Sequence, residues 1–290
     1  MNMFGGTGVA LVTPFDESGR IDEVSLKGLV DYVIEGGVDY LVALGTTSEA
    51  ATMSAEERGK VLSVILEQNR ERVPVMVGIG GNNTEEVCRN LKEFPVARCQ
   101  AILSVTPYYN KPSQEGLYQH FKKVSETASL PVFLYNVPGR TGVNMNAATT
   151  VRLSLDCPNV IGVKEASGNF AQAADILNGK RAGFQVVSGD DALALPLMAV
   201  GMEGVISVAA NVCPAELSQM INQVRKQHYK EAREIHLRLS DLFQALFAEG
   251  NPAGIKAALH ARGVIRHNVL RLPLTPVSAG LYNTIKSLLA

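Results

Sequence analysis

The segment NVIGVKEASG, residues 159–168, begins as an apolar strand and then carries Lys164 where the hydrophobic run should continue. Such near-continuous apolar runs are typical of strands that are buried on both faces of a parallel sheet. A lysine is usually a solvated surface charge, because burying an unpaired ammonium group is costly. Lys164 therefore stands out as a candidate functional residue at the carboxyl end of a buried strand.

Seven further segments of the same kind accompany it. The eight runs cover residues 8–14, 39–45, 74–80, 99–105, 131–137, 159–165, 183–189 and 203–209. Longer helical patterns separate them, and this alternation predicts βαβ crossovers and a parallel sheet. An open doubly wound sheet could also use eight strands, but eight regular units within about 220 residues favour a closed (β/α)8 TIM barrel of the α/β class.

Helix signals define the rest of the chain. Ser54 and Glu57 predict a capping box at the start of one helix. Beyond residue 226 the strand signals stop, and helical patterns follow over 229–248, 252–262 and 279–289. Asn251 is the expected N-cap of the second of these helices. We therefore expect a catalytic barrel over residues 1–226 and a C-terminal extension of three helices over residues 227–290.

Composition excludes several classes of function. The 290 residues are 46% hydrophobic, and 27 basic residues nearly balance 28 acidic ones, so nucleic acid is not an expected partner. The amino terminus lacks a signal-peptide pattern, and no apolar run approaches the roughly 20 residues of a membrane span. The four cysteines form no C-x-x-C pair, so we expect packed thiols in a cytoplasmic protein without a metal site.

In a TIM barrel, Lys164 would lie on the rim where active sites are assembled. A lysine partly withdrawn from water offers a larger fraction of free amine, which carbinolamine and Schiff-base formation with a ketone requires. The alternative is a structural salt bridge at the rim with Asp190 or Glu165.

Residues at two other strand ends support covalent chemistry. Tyr135 ends the fifth run, and Arg140 follows it in a loop. A tyrosine at the rim of a barrel often has only a structural role, with its ring packed against neighbours, but beside an imine-forming lysine its hydroxyl could transfer protons. Thr46 and Thr47 follow the second run. Turns rich in glycine and threonine usually have no binding role, although consecutive backbone amides in such a turn could also hold a carboxylate.

Six segments in this order resemble the dihydrodipicolinate synthase family of the pyruvate-dependent class I aldolases. They are GTTSE (45–49), TPYYNKPSQEGLYQHF (106–121), YNVPGRTG (135–142), GVKEASGN (162–169), VSGDD (187–191) and GVISVAAN (204–211). The resemblance implies a lyase that condenses pyruvate with L-aspartate-4-semialdehyde to 4-hydroxy-tetrahydrodipicolinate, the committed step towards diaminopimelate and lysine. It also implies a homotetramer built as a dimer of dimers. No metal or cofactor is expected, because a protonated imine can itself accept the electrons during enamine formation.

The resemblance implies four catalytic residues. Lys164 would form the Schiff base with pyruvate, and Tyr135 would donate and accept protons at that centre. Thr46 would link Tyr135 to Tyr109 in a proton relay, with Tyr109 inserted from a neighbouring subunit.

It also implies how two small carboxylate substrates are bound. The amides around Thr47 would hold the pyruvate carboxylate, and Gly189 and the backbone of Ile206 would line the pocket. Arg140 would bind the carboxylate of the semialdehyde, a task suited to a planar guanidinium with several donors.

Two departures from the family pattern bear on turn geometry and regulation. Ser48 stands where the family usually has glycine, and we expect catalysis to survive this change. Ala55 and Arg58 replace histidines found in some members that are inhibited by lysine, and a guanidinium would repel the lysine ammonium, so we expect weak regulation. The positions that match the effector site are Ala50, Ala51, Ala55, Arg58, Asn82, Glu86 and Tyr108.

Two alternative functions stay open at this point. A sister aldolase, such as N-acetylneuraminate lyase or a sugar-acid aldolase, would share Lys164 and Tyr135 but typically lacks an arginine at position 140. A non-catalytic ligand-binding barrel is disfavoured, because the lysine, the tyrosine and both threonines are all present.

Overall fold

The computed structural model describes residues 3–290 and contains eight parallel strands in the order of a closed barrel. The TIM-barrel prediction is therefore confirmed. The strands are β1 (Gly6–Ala10), β2 (Tyr40–Ala43), β3 (Val75–Gly78), β4 (Ala101–Val105), β5 (Val132–Asn136), β6 (Val160–Glu165), β7 (Gln185–Ser188) and β8 (Gly204–Ser207).

Helices follow the strands as expected. Along the barrel they are α1 (Glu23–Glu35), α2 (Ala55–Asn69), α3 (Thr84–Glu93), α4 (Gln114–Thr127), α5 (Pro138–Thr141), α6 (Ala147–Asp156), α7 (Phe170–Gly179), α8 (Ala194–Ala199) and α9 (Pro214–Arg225). The predicted C-terminal helices are α10 (Tyr229–Phe247), α11 (Ala253–Ala261) and α12 (Ala279–Leu288). Short 3-10 turns cover Thr46–Ser48, Ala50–Thr52 and Ala209–Asn211.

The strands lie where hydrophobic runs predicted them, with one shift. The first strand was expected at residues 8–14 but ends at Ala10. The backbone N–H of Leu11 still donates to Val42 (3.1 Å), whereas that of Val12 donates to the side-chain oxygen of Asn211 (3.2 Å). A side chain therefore replaces the neighbouring strand as hydrogen-bond partner, and the ladder stops.

Local signals account for most helix boundaries. Ser54 and Glu57 form both hydrogen bonds of the predicted capping box at the start of α2. The prediction for α11 was wrong in detail, because Pro252 occupies the N-cap position and no side chain caps the helix. The amide group of Asn251 instead donates a hydrogen bond to the hydroxyl oxygen of Thr47 (3.0 Å).

The chain forms two compact units, one made of residues 3–5 and 75–206 and the other of residues 6–74 and 207–290. The first contains β3 to β7. The second contains β1, β2 and the helices α9 to α12, and α10 buries Ile235, Leu239, Leu242 and Leu246 at helical spacing. The expected division after residue 226 stays a prediction. Within residues 3–290, no helix is both long and apolar enough to cross a bilayer.

Candidate active site

Lys164 and Tyr135 lie side by side in the first unit. They are paired residues on the adjacent strands β6 and β5, and Lys164 Nζ lies 4.3 Å from the centroid of the Tyr135 ring. Both side chains are almost inaccessible, with exposed fractions of 5% and 7%. The register of two parallel strands therefore places an amine and a phenol at the same level of the barrel, as the sequence predicted.

The salt-bridge alternative for Lys164 is not supported. Among residues 3–290, Lys164 has no ion pair. Glu165 accepts the backbone N–H of Ser167 (2.7 Å), and Asp190 accepts that of Ala192 (2.9 Å). A nearly fully buried lysine without an ion pair is uncommon in proteins, so Lys164 stays the first candidate for a functional residue.

A buried polar cluster fixes the ends of the two strands that carry this pair. Glu165 follows Lys164, Asn136 follows Tyr135, and the Asn136 amide donates to the Glu165 carboxylate (3.0 Å). The amide of Gln172 on α7 donates to the same carboxylate oxygen (3.1 Å). This cluster was not predicted from the sequence, although the polar residues directly after Lys164 and Tyr135 are a signal for it.

Gly189 lies directly against the Lys164 side chain. A Cβ atom at position 189 would lie 2.9 Å from Lys164 Cε and 2.6 Å from the Cβ of Ala166, closer than real Cβ contacts allow. Glycine is therefore needed for the path of the lysine side chain. Ile206 is fully buried on β8.

Arg140 and Tyr109 lie on loops that follow β5 and β4. Arg140 is exposed in the single turn α5. Tyr109 is 89% exposed and has a φ of 73°, in the left-handed region that a bulky residue rarely adopts. Its backbone N–H donates to Thr141 (3.3 Å), which ties the loop to α5.

The threonine turn belongs to the second unit. Thr46 is exposed, whereas Thr47 is 3% exposed and accepts the hydrogen bond from Asn251. The Ser48 hydroxyl donates to the carbonyl of Gly45 (2.8 Å), and Ser48 has an ordinary negative φ. The backbone at position 48 therefore does not require the glycine that the family usually has.

A buried ion pair that the sequence analysis missed adjoins this turn. Glu49 and Lys256 form a salt bridge with both side chains fully buried, and Lys256 Nζ also donates to the carbonyl of Val269 (2.9 Å). Loss of hydration on burial lowers the pKa of Lys256 to about 8, and the Glu49 carboxylate offsets part of that effect. The backbone N–H of Arg271 donates to the second oxygen of Glu49 (3.0 Å).

The residues of the expected effector site divide between the two units. In the first unit, the Asn82 amide donates to the carbonyl of Tyr108 (3.1 Å), and Glu86 lies in the first turn of α3. In the second unit, the 3-10 turn before α2 and the first turn of α2 hold Ala50, Ala51, Ala55 and Arg58.

A closed barrel that buries a lysine beside a tyrosine at the ends of adjacent strands is the arrangement expected of a lyase of the class I aldolase type. The sequence model of the dihydrodipicolinate synthetase family matches residues 3–290, and the chain belongs to this family. It is 49% identical over 284 residues to a 4-hydroxy-tetrahydrodipicolinate synthase of Azobacteroides pseudotrichonymphae, covering 98% of this chain and 96% of the relative.

Solved structures agree with this assignment. The crystal structure of dihydrodipicolinate synthase from Thermotoga maritima is 42% identical, with a TM-score of 0.96 over 99% of this chain and 98% of that one. The dihydrodipicolinate synthase of Acinetobacter baumannii, complexed with pyruvate, is 40% identical, with a TM-score of 0.94 over 98% of this chain and 97% of that one.

Proposed function

We propose that Lys164 is the Schiff-base residue through which this chain condenses pyruvate with L-aspartate-4-semialdehyde, the committed step of diaminopimelate and lysine biosynthesis. The observation that carries the proposal is a buried lysine without an ion pair among residues 3–290, with its nitrogen 4.3 Å from the ring centroid of Tyr135. The neutral amine of a lysine is a nucleophile for a carbonyl carbon.

The chemistry follows from these two groups. The unprotonated Lys164 nitrogen attacks the keto carbon of pyruvate, and one of its protons passes to the former keto oxygen to give the carbinolamine. The carbinolamine hydroxyl then takes a second proton from the Tyr135 hydroxyl and leaves as water. The resulting iminium withdraws electrons, so a methyl proton is lost to the Tyr135 oxygen and an enamine forms. The enamine carbon attacks the aldehyde carbon of the second substrate, the aldehyde oxygen takes a proton from the Tyr135 hydroxyl, and the iminium forms again. The amino nitrogen of that substrate then adds to the iminium carbon, one of its protons passes to the Lys164 nitrogen, and the bond between that carbon and Lys164 breaks, which leaves a protonated cyclic imine and the free lysine amine.

Proton transfer beyond Tyr135 forms a second part of the proposal. Thr46 would pass protons between Tyr135 and Tyr109, with Tyr109 supplied by a neighbouring subunit. The 89% exposure of Tyr109 within a single chain supports this arrangement, because so exposed an aromatic ring gains most from a partner. The proposal therefore includes a homotetramer arranged as a dimer of dimers.

Substrate binding forms the third part. The amides around Thr47 would hold the pyruvate carboxylate, while Gly189 and the Ile206 backbone would line the pocket. Arg140 would bind the semialdehyde carboxylate, and its place on an exposed turn directly after β5 supports a contact with an incoming substrate. The sister-aldolase alternatives are less well supported, because two relatives that are 49% identical to this chain are 4-hydroxy-tetrahydrodipicolinate synthases.

Kinetics of three variants test these roles. Lys164→Ala should abolish imine formation, Tyr135→Phe should lower kcat while pyruvate still binds, and Arg140→Ala should chiefly raise the KM for the semialdehyde. Equal losses in all three variants would indicate misfolding, and turnover of sugar acids above that of the semialdehyde would favour a sister aldolase.

Regulation and location complete the proposal. Weak inhibition by lysine is expected, since Arg58 brings a positive charge to the effector positions; calorimetric titration with lysine checks this.

We also propose a cytoplasmic location, which the four free, buried cysteines support because cytosolic thiols remain reduced.

A further inference from the structure

We infer that Asn251, in the segment that leads into α11, is a positioning residue for pyruvate: its amide group orients the Thr47 hydroxyl in the turn that receives the substrate carboxylate. This inference rests on the proposed role of Thr47. It assigns part of the substrate-binding geometry to the C-terminal region of the chain, to which the sequence analysis gave no role in the reaction.

The contact is buried at both ends. Asn251 Nδ2 donates to Thr47 Oγ1 over 3.0 Å, and the two residues are 7% and 3% exposed. They are 204 positions apart in the sequence. A hydrogen bond shielded from water holds its two groups more firmly than one at the surface. The Thr47 side chain is therefore fixed by the chain that precedes α11.

The direction of this bond matters for the chemistry. A hydroxyl group has one donor hydrogen and two acceptor lone pairs. When the Asn251 amide occupies a lone pair of Thr47 Oγ1, the hydroxyl hydrogen turns away from Asn251 and becomes available to another acceptor. A carboxylate oxygen is such an acceptor, so the amide prepares Thr47 to donate to an anionic substrate.

The far end of the same turn is also anchored to the C-terminal region. Glu49 follows the turn, in the left-handed conformation with a φ of 59°. Its carboxylate pairs with Lys256 on α11 and accepts the backbone N–H of Arg271. The turn is thus held at Thr47 and at Glu49, which limits the movement of the amides between them. Preorganised donors bind a carboxylate without the cost of ordering the loop.

The first experiment compares steady-state kinetics of Asn251→Ala with the wild type. Loss of one orienting hydrogen bond should raise the KM for pyruvate roughly fivefold to tenfold. The KM for the semialdehyde and kcat at saturating pyruvate should stay within about twofold of the wild type, because the Thr47 hydroxyl is assigned to the pyruvate carboxylate and not to the second substrate. An unchanged pyruvate KM overturns the inference.

A matched control separates positioning from general stability. Asn159 is also a hydrogen-bonding asparagine, and its amide donates to the carbonyls of Ser125 (3.0 Å) and Leu130 (3.1 Å) in the first unit. Asn159→Ala should lower thermal stability and leave the pyruvate KM unchanged. If Asn159→Ala raises the pyruvate KM as much as Asn251→Ala does, the effect is one of stability and the inference fails.

A double-mutant cycle tests whether Asn251 acts through Thr47. Thr47→Val removes the hydroxyl group, so adding Asn251→Ala to that variant should raise the pyruvate KM by less than about twofold. Full additivity of the two changes contradicts the inference. Asn251→Asp keeps the shape of the side chain and removes both amide donors, so it should also raise the pyruvate KM; a wild-type value overturns the assigned direction of the bond. Asn251→Asp also takes the place of Asn251→Ala in the kinetic comparison if Asn251→Ala does not fold.

Borohydride trapping distinguishes this inference from the proposed function. If the wild type forms no pyruvate adduct on Lys164, the proposed function fails. If it does, and Asn251→Ala reaches half-maximal trapping at the same pyruvate concentration as the wild type, only the positioning role fails. We expect trapping by Asn251→Ala to need roughly fivefold to tenfold more pyruvate.

Discussion

Replacing Lys256 with methionine should lower the free energy of unfolding by about 3 kcal/mol. The side chains of Lys256 and Glu49 are both fully buried, so the change removes the hydrogen-bonded cation of the Glu49 carboxylate in a site shielded from water, where only the more distant Arg271 guanidinium still offsets its charge. Removing one partner of a buried pair typically costs about 3–5 kcal/mol. We take the lower end, because Glu49 still accepts the backbone N–H of Arg271 at 3.0 Å.

Thermal unfolding measures this loss. About 1 kcal/mol shifts the midpoint of a domain of 150–250 residues by about 2–4 °C, so Lys256→Met should unfold about 6–12 °C below the wild type. Lys122→Met is the matched control, because Lys122 forms an exposed salt bridge with Glu126 (3.9 Å). Exposed pairs contribute about 0–1 kcal/mol, so this control should unfold within a few degrees of the wild type.

A second substitution isolates the cause. Adding Glu49→Gln to Lys256→Met replaces the unpaired carboxylate with a neutral amide, and part of the lost stability should return. A loss below about 1 kcal/mol in Lys256→Met would refute the reasoning, since it would mean that the pair is as well hydrated as a surface salt bridge. A double variant less stable than Lys256→Met would refute it as well.

Three further outcomes are expected. Gly189→Ala should reduce the rate of imine formation, because the added Cβ would lie 2.9 Å from Lys164 Cε and displace it; a wild-type rate of borohydride trapping would contradict the contact. Burial lowers the pKa of His120 to about 4 from 6.5, so between these pH values the unfolded chain binds more protons and stability falls as the pH falls. In His120→Gln, the urea midpoint should therefore fall less between pH 6.5 and pH 4 than it does in the wild type. The same fall in both proteins would contradict a contribution from His120. Ser48→Gly should keep kcat near the wild-type value, because it removes only the hydroxyl bond to Gly45, and a tenfold drop in kcat would show that this bond shapes the turn.

Much of the barrel could be predicted from local sequence, because each strand is a short apolar run and each helix carries its own signals. The positions of Tyr135 and Lys164 near the ends of two successive apolar runs could be predicted, whereas the register that pairs them includes a shift at Val132 and Phe133 and could not. The end of β1 could not be predicted in this way, since it depends on the side chain of Asn211, about two hundred positions away in the sequence.

The remaining site residues depend on long-range contacts. Lys256 looks like an ordinary helical lysine in the sequence, and only its burial against Glu49 distinguishes it. Asn251 precedes α11 and is a residue type that often caps helices, but its amide donates a hydrogen bond to the Thr47 hydroxyl and does not cap the helix. Local propensity competes here with a tertiary hydrogen bond, and no spacing rule in one sequence decides between them.

The role of Lys164 is tested most directly by borohydride reduction of the enzyme in the presence of pyruvate, followed by mass spectrometry of its peptides. We expect one pyruvate-derived adduct on Lys164, absent from Lys164→Ala and formed more slowly in Tyr135→Phe. Folded wild-type protein that turns over the semialdehyde without an adduct on Lys164, or that carries the adduct on another lysine, would contradict this role.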